Sequence, residues 1–71
     1  MRQTFIKVCE KYLGKETDQI KVNFPGGGYV YLFFYEDKVT MIYAGGFMNF
    51  AIQEDTTPEN MAGRLEYWLN M

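Results

Sequence analysis

Seven consecutive apolar residues, Tyr29-Val30-Tyr31-Leu32-Phe33-Phe34-Tyr35, stand near the middle of a chain of only 71. That run limits the fold more than any other feature. It is far shorter than the roughly 20 residues a membrane helix needs. Its β-branched and aromatic content favours a strand, and a strand apolar on both faces belongs inside a sheet. Alternation places Val30, Leu32 and Phe34 on one face and Tyr29, Tyr31, Phe33 and Tyr35 on the other.

The flanking segments supply the rest of a sheet. Ile20, Val22 and Phe24 alternate with Lys21 and Asn23, and Pro25-Gly26-Gly27-Gly28 ends that strand. Glu36-Asp37-Lys38 reads as a polar turn into Val39-Thr40-Met41-Ile42-Tyr43. Ala44-Gly45-Gly46 is a second glycine turn, followed by Phe47-Met48-Asn49-Phe50-Ala51-Ile52. The third strand divides into Val39, Met41 and Tyr43 against Thr40 and Ile42. The fourth divides into Met48, Phe50 and Ile52 against Phe47, Asn49 and Ala51. Connections this short imply sequential antiparallel pairing.

A helix is expected on either side. Phe5, Val8, Cys9, Tyr12 and Leu13 recur at helical spacing, with Thr4 a candidate cap and Gly14 a candidate left-handed end. Lys7, Lys11 and Lys15 lie on the opposite side and read as a solvated face. Thr57-Pro58-Glu59 is a helix start, and Met61, Leu65, Trp68 and Leu69 continue it, with Gly63 a blemish costing roughly 1 kcal/mol against Ala. The expected fold is α+β, a four-stranded antiparallel meander sheet with one N-terminal and one C-terminal helix, order α-β-β-β-β-α. Residues 1–71 form a single domain.

Composition narrows the function mainly by exclusion. There is no His and no Ser, so Ser-His and Cys-His nucleophilic pairs and ordinary zinc sites are excluded. The chain is read as a non-enzyme, without catalytic residue, metal or cofactor. A net charge of −2 argues against nucleic acid, which selects a basic excess. Glu54, Asp55 and Glu59 lack the alternating ligand pattern of a calcium loop. The single Cys9 excludes a disulfide scaffold and, with no leader-like segment, leads to the expectation of a cytoplasmic protein bearing a free thiol.

What remains is surface. Two amphipathic helices comfortably cover one sheet face, and if both lie there, a face rich in Tyr and Phe stays open. Such a patch marks an interface, where Tyr, Trp, Phe and Met are enriched. The expected function is a small non-catalytic protein–protein interaction module that self-associates as a homodimer through Tyr29, Tyr31, Phe33, Tyr35 and Phe47. Its biological role is then that of an adaptor or inhibitor of a larger macromolecule, of the kind phage and mobile elements encode. The alternative is a binder of a nucleotide-like small molecule, held by Gly26, Gly27, Gly28, Gly45 and Gly46 together with the tyrosines.

Overall fold

A computed structural model describes residues 1–70 and has the expected order. Helix α1 (Arg2–Tyr12) precedes strands β1 (Ile20–Asn23), β2 (Tyr29–Phe34), β3 (Lys38–Tyr43) and β4 (Gly46–Ala51), and helix α2 (Pro58–Leu69) follows. The strands form one antiparallel sheet in the order β1-β2-β3-β4. The two-residue turn Ala44-Gly45 joins β3 to β4, and in the link from β2 to β3 the Tyr35 amide donates to the Lys38 carbonyl.

Both helices cover the same sheet face. Phe5 and Cys9 of α1 and Met61, Ala62 and Leu65 of α2 share one buried cluster with Val22, Val30, Leu32, Phe34, Val39, Met41 and Phe50. The alternation read from the sequence therefore assigns these strand residues to the core face. Helix α1 lies toward β1 and β2: Phe5 meets Phe24 at 6.0 Å between ring centroids, and Tyr12 meets Phe34 at 5.7 Å. Helix α2 lies toward β3 and β4, where the Trp68 ring stands edge-on to both Tyr43 and Phe50 at 6.5 Å. Between the helices, Nε of Arg2 donates to Oε1 of Glu66 at 2.9 Å.

The start of α2 follows its sequence signal closely. Thr57 Oγ1 accepts from the Asn60 amide, and Asn60 Oδ1 accepts from the Thr57 amide, a reciprocal cap with Pro58 at the first helical position. The start of α1 differs from expectation. Thr4 lies inside the helix, which begins at Arg2 with Met1 as a cap that makes no side-chain hydrogen bond. The first turn forms without a capping oxygen because Phe5 is fixed in the core. The helix ends at Leu13, which is extended (φ −58°, ψ 127°), so the φ of +85° at Gly14 serves the turn that follows, where the Lys15 amide donates to the Tyr12 carbonyl at 2.9 Å. Lys38, read as a turn residue, is the first residue of β3 and pairs with Ala51.

Candidate functional site: the uncovered sheet face

The outer face of the sheet carries residues of opposite parity to the core. Register aligns Lys21, Tyr31, Ile42 and Phe47 in one row across all four strands. Asn23 and Tyr29 pair on one side of that row, and Phe33, Thr40 and Asn49 form the next row on the other side. Among the described residues no helix packs on this face, since α1 and α2 share the buried cluster on the other. Phe47 is 66% exposed, Tyr29 52% and Ile42 39%, whereas Tyr31 and Phe33 are half-buried by their neighbours within the sheet.

Local contacts order the rings. Tyr29 and Tyr31 meet edge-to-face at 5.3 Å, and Nζ of Lys21 lies 4.4 Å from the Tyr29 ring centroid. That cation–π contact holds a charged side chain along the aromatic surface. At the centre of the face Thr40 Oγ1 donates to Asn49 Oδ1 at 2.6 Å, satisfying two polar groups between the rings. Four of the five proposed docking residues, Tyr29, Tyr31, Phe33 and Phe47, thus share one surface. Tyr35, one residue past the end of β2, lies at the margin of the same face, its amide donating to the Lys38 carbonyl. Its ring lies under Lys38 Nζ at 5.2 Å and borders a shallow hollow with Glu16, Thr17 and Asp18.

Charge is segregated on this face. Lys21 and Lys38 belong to it by strand parity, while none of the nine carboxylates does. Sequence reading missed this because it counted Lys38 as a turn residue and did not set Lys21 in the row with Tyr31. It also left Ile42 out of the docking set, although alternation had placed it on the same face; the register with Tyr31 and Phe47 is the deciding observation.

The glycines act mostly on the backbone. Gly27 and Gly28 adopt φ +98° and +88°, and the bonds Phe24 N–H to Gly28 C=O and Gly27 N–H to Phe24 C=O close the β1–β2 turn. The Gly27 amide is therefore spent within the loop and does not point at an anion. Gly26 has open surroundings, a Cβ at Gly45 would come within 3.1 Å of the Tyr43 ring, and Gly46 opens β4 at φ +140°. A cleft of about 370 Å³ does bring one glycine to the tyrosines: Gly28, Tyr29, Tyr31, Ile42, Tyr43 and Ala44 line it. It forms because the β1–β2 and β3–β4 turns emerge at the same end of a meander.

Cys9 is fully buried and free, and desolvation pushes its thiol from 9.0 up to about 12, so the nucleophilic thiolate is suppressed. Among the described residues no group of three or more His, Cys, Asp or Glu is placed to hold a metal ion, and no helix is long and apolar enough to cross a membrane. Set against known protein families, curated proteins and solved structures, the chain matches none.

Proposed function

We propose that this chain is a non-catalytic protein–protein interaction module whose uncovered sheet face is its docking surface, and that a second copy of the chain is one of its partners. The observation that carries this reading is the placement of both helices on one side of a sheet that is apolar on both. A monomer leaves Tyr29, Ile42 and Phe47 wet, and burial returns roughly 25 cal/mol per Å² of apolar surface. Tyr is suited to such a surface, since its ring packs while its hydroxyl stays hydrated. The role that follows is adaptor or inhibitor of a larger macromolecule. A cytoplasmic setting fits the lone free thiol.

The test is oligomeric state against concentration. Light scattering should report a dimer at micromolar concentration, dissociating on dilution. Phe47→Ala removes the most exposed ring of the sheet and should weaken association at least tenfold with circular dichroism unchanged. A mass of 8.4 kDa at every concentration would overturn self-association.

A second reading is supported by the cleft at the turn end, where Gly28 meets Tyr29, Tyr31 and Tyr43 beside Lys21. Rings for stacking and a cation for phosphate suit a nucleotide-like ligand. A thermal-shift series with mono-, di- and cyclic nucleotides tests it, because a ligand bound to the folded state raises the melting temperature by mass action.

A further inference from the structure

The two edges of the sheet are unlike. Strand β1 is four residues long and exposes Lys21, a charge of the kind that discourages strand pairing. Strand β4 is six residues long, Gly46-Phe47-Met48-Asn49-Phe50-Ala51, and carries no charge. The β3–β4 register, with Tyr43 opposite Gly46 across the turn and the Ile52 amide bonded to the Asp37 carbonyl, directs the backbone groups of Gly46, Met48 and Phe50 toward β3. Those of Phe47, Asn49 and Ala51 then point outward. Among the described residues only one of these outward groups finds a partner: the Ala51 carbonyl accepts from Nη1 of Arg64 at 2.9 Å.

Side chains on both sides of this edge are also unsatisfied. Phe47, on the outer face, is 66% exposed, and Tyr67, on α2, is 70% exposed; these are the two most exposed large apolar side chains among the described residues. Tyr67 lines a groove of about 490 Å³ between α2 and β4, with Met48, Asn49, Phe50 and Trp68 along it. A partner laid on the sheet face would cover Phe47 and leave Tyr67 wet. A strand added beside β4 sends alternate side chains to each side and covers both.

We propose that a second copy of the chain pairs along this edge, β4 antiparallel to β4, giving a continuous eight-stranded sheet. The edge is self-complementary. With the two-fold axis at Asn49, each Phe47 stands opposite the small Ala51 of the other copy, and each Asn49 opposite itself, so no like charges meet. The groove carries both signs, Arg2 and Arg64 with Glu59, so a second copy brings no uniform repulsion. Pairing this way also joins the two open faces into one broader docking surface, with Tyr29 and Tyr31 still available to a different protein. The proposal rests on the reading that the chain self-associates, and it fixes the seating of the copies.

Amide hydrogen exchange by NMR, at concentrations above and below the dimer dissociation constant, tests it on the intact chain. The Phe47, Asn49 and Ala51 amides should be protected at least tenfold more in the dimer, while those of Met48 and Phe50 are protected in both states. Sedimentation of two variants supplies the second measurement. Tyr67→Glu, on an exposed helix position away from the sheet face, should weaken the dimer at least tenfold, and Tyr31→Ala should change it less than threefold. A dimer that Tyr31→Ala dissolves, with the outward β4 amides exchanging freely, would overturn edge pairing and leave self-association through the face. A monomer at every concentration would remove both.

Discussion

Phe33 and Phe34 are adjacent, identical in chemistry and opposite in fate. Phe34 is completely buried beneath the helices, against Tyr12, whereas Phe33 faces outward in the row with Thr40 and Asn49. The same contrast separates Leu32 from Tyr31 and Val30 from Tyr29 along one strand. Hydrophobicity alone therefore does not decide burial in this chain. The helices do, and a 71-residue chain has enough helix to cover only one side of its sheet. The uncovered side is richer in tyrosine, and its centre is a Thr–Asn hydrogen bond where the covered side has aliphatic contacts. One face excludes water within the chain, and the other is left wet.

Perturbing the covered side should produce the largest effects. Trp68 is only half-buried, less than its place on the helical stripe suggested, but its ring contacts Phe50 and Tyr43 edge-on. Trp68→Ala should cost about 2–3 kcal/mol, below the range for a fully buried aromatic, measured as a lower urea midpoint. Loss of less than about 0.5 kcal/mol would mean that α2 is not anchored at its C-terminal end.

Titration of Cys9 offers a probe of the same core. Its thiol is held neutral up to about 12 when folded, against 9.0 for the unperturbed group. Above the lower value the unfolded chain releases this proton while the folded chain retains it, so the unfolded state is favoured. The contribution from the neutral thiol is complete below pH 9 and is lost as pH rises from there toward about 12. Cys9→Ala should remove that part of the alkaline slope, and an aromatic disulfide reagent should label Cys9 only as fast as the protein opens.

The smallest effect comes from the helix that does the covering. Gly63 sits mid-helix in α2, and a Cβ there would meet only the exposed Arg2 guanidinium at 3.7 Å, ordinary contact distance. Gly63→Ala should therefore stabilise the fold by about 0.5–1 kcal/mol through helix propensity. A loss would show that Arg2 needs the space to reach Glu66.

Periodicity made the elements and their faces readable, because alternation in β2 and helical spacing around Phe5 and Met61 are local properties of sequence. The α2 cap was readable for the same reason: Thr57, Pro58 and Asn60 act within one turn. Which face the helices choose is a tertiary outcome, and the sequence left it open. Thr4 misled because core burial of Phe5 and Cys9, not a capping oxygen, sets where α1 starts. Tyr35 lies one residue past β2, where it meets Lys38 at the margin of the outer face. The exposed Tyr67 had no sequence signal, since it lies off the apolar stripe of α2 and becomes notable only beside the free edge of β4.

The central claim is that one face of the sheet is core and the other is surface, and the paired substitutions Phe34→Ala and Phe33→Ala test it most directly. Both delete the same atoms from neighbouring positions, so the difference reports the faces alone. Urea unfolding at concentrations low enough to keep the chain monomeric should show Phe34→Ala losing about 3–5 kcal/mol, through lost transfer energy and a cavity. Phe33→Ala should lose about 1 kcal/mol, the scale of cross-strand contacts on a half-buried surface. Equal losses for the two variants would contradict the account, because both faces would then be internal core and no docking surface would remain.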